Sequence, residues 1–166
     1  MDHGRDARIY QSIDVPGYSN EGQRPLFDSR IRQIAGIADI LFDRLYTHLD
    51  IGSNLGRFNL ELAKQPQVRK SIGVEAYDKY VYLARVLTFL SDTANVEFFC
   101  AECGKDSLSD LLRDERIDLV TVYSVYHHIK NKPQFLEDLK RLNPTYIMFE
   151  MAVQEECYEG RSWQDE

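Results

Sequence analysis

Thr47-His48-Leu49-Asp50-Ile51-Gly52-Ser53-Asn54-Leu55-Gly56-Arg57 carries a short apolar run, an acid near its end and a turn punctuated by two glycines. The run from Thr47 to Ile51, bounded by glycine, reads as a buried strand. A helical stretch from Arg57 to Lys64 follows. Strand, tight glycine turn and helix in that order place backbone N–H groups where they face a ligand, as in a nucleotide-type turn. A dinucleotide fingerprint needs glycine at the first, third and sixth positions, and this turn has Gly52, Asn54 and Arg57 there. NAD is therefore disfavoured. The spacing is acid-x-Gly-x-Asn-x-Gly, and Asn54 tolerates the left-handed dihedrals that a central glycine would supply.

Four further runs read as strands: Ser71 to Glu75, Val96 to Cys100, Asp118 to Ser124 and Thr145 to Met151. Helical stretches separate them at Tyr80 to Leu90, Ser107 to Arg113 and Pro133 to Leu142, the last with proline at a helix start. Upstream, Ile34, Ala35, Ala38, Leu41, Phe42 and Leu45 recur at helical spacing from Ile31, predicting an amphipathic helix that ends near Tyr46. Residues 11–29 hold Pro16, Gly17, Gly22 and Pro25 with no sustained period and read as a loop or lid. Alternation of strand and helix predicts an α/β, Rossmann-like, mostly parallel sheet with helices on both faces and ligands beyond the carboxyl ends of the strands. Residues 1–30 are then an N-terminal lid, 31–153 the domain, and 154–166 a polar tail or truncated connection.

The 166 residues fit one domain, and 43% hydrophobic content is enough to fill one core. Twenty Lys and Arg stand against 27 Asp and Glu, a formal net charge of -7, which weakens any nucleic-acid reading. The N-terminal stretch Met1 to Val15 lacks the apolar segment of an export signal, and no apolar run is long enough to span a membrane, so the expected location is cytoplasmic, with no membrane insertion. Three cysteines, an odd number, suit a reducing compartment.

Candidate chemistry gathers at the strand ends. Glu75, with Ala76 beside it, stands where a carboxylate accepts hydrogen bonds from ribose hydroxyls. Cys100 and Cys103 form a CxxC pair, superficially a redox couple or half of a zinc site, but no second half is evident and alternation along the strand separates them; ordinary packing is the alternative, and no metal is expected. His127 and His128 follow the fourth strand, where an imidazole suits a general base; the alternative is a pair at a helix start with a supporting duty. Tyr10, Tyr123 and Tyr126 flank the expected site, where aromatic faces can stabilise a cation.

Asp50 to Gly56 resembles motif I of class I S-adenosylmethionine-dependent methyltransferases, with Asn54 in place of the central glycine, and Asp118 to Ile129 resembles their motif IV. That resemblance implies S-adenosyl-L-methionine as cofactor, held by Asp50, Gly52, Ser53, Asn54 and Gly56 in the loop and by Glu75 and Ala76 at the ribose. Glu102 would meet the adenine amino group, the backbone of Cys103 would read the ring, and Tyr123 and Ser124 would lie beside the methionine part. More closely, Ile9-Tyr10-Gln11-Ser12, Ser124 to Ile129 and Glu150 to Glu156 are similar to the methyltransferase domain of enzymes that terminate lipopolysaccharide O-antigen chains and carry a kinase as well. This implies that Tyr10, Gln11 and Arg30 belong to a lid over the cofactor, with Arg30 on its carboxylate. Two departures stand out: no kinase-like domain or coiled coil follows, and about five of the seven strands usual in the family are legible. The chain is thus a fragment, or a member completed by an additional domain or protein partner.

The expected reaction is methyl transfer to a glycan, phosphate or small-molecule acceptor, by direct displacement that needs positioning and water exclusion. An ionised phosphate acceptor needs no base, whereas a hydroxyl acceptor needs His127. The competing readings are a methyltransferase of metabolites or of wobble uridine in RNA, and an inactive cofactor-binding scaffold in a larger complex.

Overall fold

The computed structural model describes residues 10–24 and 28–151. Five parallel strands form its main sheet: β3 (Tyr46–Ile51), β4 (Val68–Glu75), β5 (Val96–Cys100), β6 (Leu119–Tyr123) and β7 (Tyr146–Glu150). Their order across the sheet is β5-β4-β3-β6-β7. The chain runs outward from β3 to β5, then returns to the other side of β3 for β6 and β7. The strand order therefore reverses between β3 and β6, where an open α/β sheet leaves a crevice at its carboxyl edge. β3 is the central strand and all six of its residues are buried, the polar Thr47, His48 and Asp50 among them.

Helices α1 (Ser29–Leu41), α2 (Arg57–Leu62), α3 (Asp78–Leu90), α4 (Leu108–Leu111) and α5 (Lys132–Leu142) connect and cover the sheet. Local signals set their ends. Asp28 caps α1 by accepting from Arg30 N, and Asn131 caps α5 by accepting from Gln134 N, with proline in the first turn. Asn143, at φ +47°, closes α5 after the basic pair Lys140 and Arg141. One core cluster joins Leu49, Ile51, Val74, Val120 and Val122 to Phe135 and Leu139 of α5; another joins Ile34 and Ala38 of α1 to Tyr46, Phe58 and Leu119.

Several boundaries differ from those legible in the sequence. The helix expected to end near Tyr46 stops at Leu41, and Tyr46 opens β3, stacked on Phe42 with ring centroids 4.6 Å apart. The helical spacing persisted because Phe42 and Tyr46 enter one cluster from different elements, while Leu45 is exposed. The segment read as a loop holds an antiparallel hairpin, β1 (Ile13–Val15) and β2 (Tyr18–Asn20), too short to show a period. Its Ile13 packs with Leu55, Leu60 and Leu87, so the hairpin rests on the turn and on α3. β4 starts at Val68, ahead of the expected Ser71; its opening residues are polar and break the apolar run, with Arg69 bonded to Thr47 Oγ1 and Lys70 2.7 Å from Glu97. The expected helix at Ser107 is a single turn, α4, and the two histidines lie in a 3-10 turn, Tyr126–His128. Ile9, Pro25 and the tail expected at 154–166 lie outside the described residues.

Asp118 ties the centre together. Its buried carboxylate accepts from Thr47 N at 2.9 Å and from Arg44 at 2.7 Å. Burial alone would push its pKa up; the bonds from Arg44 and Thr47 and the nearby guanidinium charges outweigh that and hold it below the ordinary value.

Candidate functional site

The turn after β3 is built from left-handed residues: Gly52 at φ +73°, Asn54 at +52° and Gly56 at +75°. A Cβ on Gly52 would lie 2.5 Å from Val125 Cγ2, and one on Gly56 would enter the ring of Phe98. Both glycines are thus required twice, by dihedral and by packing. The expectation that the turn aims N–H groups at a ligand is not met. Gly52 N and Ser53 N donate to Val74 O at 2.8 and 3.1 Å, and Asn54 N donates to Glu75 Oε2 at 2.9 Å. Leu55 N donates to Asn54 Oδ1 at 3.0 Å and Gly56 N to Ser53 O at 2.8 Å. The sharp left-handed turn folds these donors back onto β4 and onto itself. An anion finds no free donors along this stretch, and what it offers a ligand is acceptors.

Glu75, at the end of β4, is 7% exposed, and both its oxygens bind backbone: Oε2 to Asn54 N and Oε1 to Tyr77 N at 3.0 Å. Each carboxylate oxygen keeps lone-pair capacity for a second donor. The carboxylate therefore locks the turn to the strand and faces a cleft of about 790 Å³ at the sheet's carboxyl edge. Among the described residues three carboxylates line that cleft, Glu75, Glu102 and Glu150, while Arg24, Lys130, His127 and His128 bring positive or titratable groups to the same walls.

Behind the turn, Asp50 is 4% exposed and accepts from Thr121 Oγ1 at 2.7 Å. Burial pushes its carboxyl up to about 7, Thr121 and Arg30 opposing this and Glu75 adding to it. His48, two residues earlier on the same face of β3, is fully buried, and burial holds its pKa down to about 3, so its ring is neutral.

Arg30 reaches from α1 to the carboxyl ends of β6 and β7. Its Nη2 donates to Asp28 at 2.6 Å, and its Nη1 to Glu150 at 2.7 Å and to Ser124 Oγ at 3.2 Å. Ser124 also donates to Glu150 at 2.8 Å, from a left-handed φ of +55° that a non-glycine residue adopts only under constraint. Burial disfavours the Arg30 charge, but the two carboxylates more than offset it and raise its pKa further. His127 and His128 have ring centroids 3.9 Å apart, both exposed on the cleft wall. Cys100 is exposed, with Sγ 3.7 Å from Ala76 O, and Cys103 is packed against the core, where burial pushes its thiol up to about 12.

Of the residues singled out in the sequence, Tyr10, Gly52, Asn54, Glu75, Ala76, Glu102, Cys103, Tyr123, Ser124 and His127 line the cleft together. Gln11, Arg30, Asp50, Ser53 and Gly56 stand outside the lining. Gln11 Oε1 accepts from Arg57 N at 3.4 Å, and Ser53 turns its hydroxyl into the sheet beside Gly73. Glu102 has Lys105 and Lys130 each 3.4 Å from its carboxylate, and its backbone N–H donates to Asp106. Sequence reading missed Arg24, Tyr77, Tyr80 and Lys130 on the wall. Arg24 donates to Tyr10 OH at 3.0 Å, and Tyr77 and Tyr80 meet edge to face at 5.8 Å with Lys79 over both rings. The Tyr-x-x-Tyr spacing directly after a strand-end acid was the available signal. Among the described residues no group of three or more His, Cys, Asp or Glu is placed to hold a metal, and no helix is long and apolar enough to cross a membrane.

Residues 49–143 match the family described as methyltransferase domain. Among solved structures, the bifunctional kinase-methyltransferase WbdD superposes with a TM-score of 0.69 at 22% identity over 92% of this chain and 35% of that one. The N-terminal domain of EvdMO1 with SAH bound superposes at 0.66, with 21% identity over 87% of this chain and 59% of that one. A SAM-dependent methyltransferase from Aquifex aeolicus superposes at 0.54, with 22% identity over 70% of this chain and 67% of that one. The chain thus spans about a third of the WbdD chain it matches. No curated protein sequence matches it.

Proposed function

Because this chain belongs to the methyltransferase-domain family, we propose that it is an S-adenosyl-L-methionine-dependent methyltransferase whose cofactor lies in the cleft beside Glu75. The observation that carries this reading is the turn itself: its N–H groups from Gly52 to Gly56 are spent inside the protein, while carboxylates face the cleft. A pyrophosphate needs the first and is repelled by the second. Ribose hydroxyls, an ammonium and a sulfonium need acceptors and negative charge. The residues present therefore fit this cofactor and disfavour NAD.

When bound, the cofactor supplies an electrophilic methyl group on a sulfonium. The chain's own residues supply the rest. Glu75 would accept from the ribose hydroxyls, Asp50 in its ionised form would face the methionine ammonium, and Tyr123 and Ser124 would shape the wall between them, while the charge of Glu150 is balanced by Arg30. The family's reaction is a displacement, so holding the acceptor in line and excluding water are the main demands on the protein. We place the acceptor against His127, His128, Lys130 and Arg24, whose positive or titratable groups suit a phosphate-bearing or hydroxyl-bearing glycan or small molecule. The resemblance of Tyr10 to Ser12 and of Ser124 to Ile129 to the methyltransferase domain of enzymes that terminate O-antigen chains is the ground for proposing an acceptor from polysaccharide biosynthesis.

Calorimetric titration with S-adenosylmethionine, S-adenosylhomocysteine and NAD tests the cofactor: the first two are expected to bind and NAD is not, and failure of both to bind overturns the reading. His127 tests the acceptor side. With a hydroxyl acceptor, His127→Ala is expected to lower kcat by about a hundredfold, the usual worth of a general base, while leaving cofactor affinity within about twofold. An unchanged kcat would assign the histidine to orientation of an acceptor that is already ionised.

A further inference from the structure

Five side chains from three strands and one helix form a buried polar chain beneath the turn. Asn59 Nδ2 of α2 donates to Ser71 Oγ of β4 at 3.0 Å, Ser71 Oγ lies 2.9 Å from His48 Nδ1, His48 Nε2 lies 2.9 Å from Thr121 Oγ1 of β6, and Thr121 donates to Asp50 Oδ1 at 2.7 Å. Strand register brings them together: Ser71 pairs with His48 across β3 and β4, and Asp50 pairs with Thr121 across β3 and β6. Asn59, Ser71, His48 and Thr121 all have 0% exposure.

Proton counting gives this chain one direction. An ionised carboxylate can only accept, so in the form that binds an ammonium the Thr121 hydroxyl proton points at Asp50. Thr121 must then accept from His48, which places the imidazole proton on Nε2. His48 Nδ1 is left as an acceptor, so Ser71 points its single proton there and in turn accepts from Asn59. We propose that His48 is a positioning residue for the cofactor, holding Asp50 through Thr121 by a one-way chain of hydrogen bonds that begins at Asn59. The proposal rests on the reading of Asp50 as a cofactor-binding residue. With Oδ1 engaged inward, Oδ2 has no hydrogen-bond partner among the described residues and is the atom left for the cofactor's ammonium.

The chain also makes cofactor binding sensitive to pH. Arg30 from α1 favours the ionised Asp50; Glu75 from β4 and burial oppose it, and the balance lies at about 7. Tyr123 from β6, whose hydroxyl is pushed up by burial and Glu150, stays protonated, and Arg57 at the start of α2 keeps its charge throughout this range. An ammonium prefers the carboxylate, so affinity should rise as pH increases through Asp50's titration. Cutting the chain removes a donor from Thr121 and shifts Asp50 upward.

The test is calorimetric affinity for S-adenosylhomocysteine between pH 6 and 8.5, with His48→Leu and, in case that variant does not fold, Ser71→Ala. Without Ser71 the imidazole proton can move to Nδ1, and Thr121 then donates to His48 in place of Asp50. Either variant is expected to bind about tenfold more weakly than the unaltered chain at pH 6 and within about twofold of it at pH 8.5, the signature of a one-unit shift. An equal loss at every pH, or none, overturns the proposal. Independently, 15N spectra of the imidazole should show His48 protonated at Nε2 in the unaltered chain; the Nδ1 form overturns the direction of the chain. If the unaltered chain binds no S-adenosylhomocysteine at any pH, the cofactor reading itself falls, and the imidazole spectrum still judges the hydrogen-bond chain alone.

Discussion

Glu75→Ala is expected to weaken S-adenosylmethionine binding by at least about a hundredfold. In the proposed site the carboxylate accepts from the ribose hydroxyls in addition to Asn54 N and Tyr77 N, which it already binds. Each hydrogen bond to a charged partner is worth about 1.5–3 kcal/mol, and two lost to the ligand amount to roughly 3 kcal/mol or more. That corresponds to a factor of about a hundred in affinity. Alanine also releases Asn54 N, so the turn loses its bond to β4 and the pocket its fixed edge. Glu75→Gln separates these effects: one amide oxygen can still accept, but its NH2 would face one of the two backbone donors. Calorimetry on both variants, alongside thermal unfolding to confirm folding, decides the matter. An affinity within a few-fold of the unaltered chain for Glu75→Ala would place the cofactor elsewhere.

Gly56→Ala should be the most damaging single methyl in the described structure. At φ +75° a Cβ costs about 1–2 kcal/mol. Here it would also enter the Phe98 ring, which is 1% exposed and packed against Val81 and Ala84 of α3. Neither strand nor helix can retreat without opening the core, and overpacking of this kind adds about 1–3 kcal/mol. A total near 3 kcal/mol lowers the unfolding midpoint by roughly 10 °C in a domain of this size. Gly36 is the control: it lies within α1, and a methyl added there would meet nothing within 4 Å, so Gly36→Ala should hold the midpoint or raise it slightly. Equal melting of the two variants would mean that Phe98 moves aside freely.

The parallel sheet and the strand-end acids were legible because short runs rich in apolar residues alternate with helical stretches, and because ligands of such sheets collect at one edge. Glu75 and the turn from Gly52 to Gly56 follow from that logic alone. The destination of the turn's N–H groups does not. Donation to Val74 O depends on how far the left-handed residues bend the chain back, and the letters are the same whether the donors face inward or out. The chain from Asn59 to Asp50 was hidden for another reason. His48 stands beside Thr47, Ser71 follows Lys70 and Thr121 interrupts an apolar run, and only the register of three strands makes them neighbours. Tyr46 shows the opposite failure, in which a helical spacing arose because two elements feed one cluster. Arg24 and Tyr77 lie on loops and helix starts, where no period marks a side chain as facing a ligand.

Arg30 has a consequence for how the molecule assembles. Its ion pair with Glu150 joins residues 120 positions apart, near the two limits of the described chain. Closing a loop of that length by itself costs about 4 kcal/mol of chain entropy, more than a partly exposed ion pair returns. The pair cannot draw its partners together from a disordered chain. It can form only after β3, β6 and β7 have aligned and delivered Glu150 to the start of α1. Arg30 is therefore a latch and not a nucleus: it closes when β7 docks, and it reaches Ser124 and Glu150 only once β6 and β7 lie side by side.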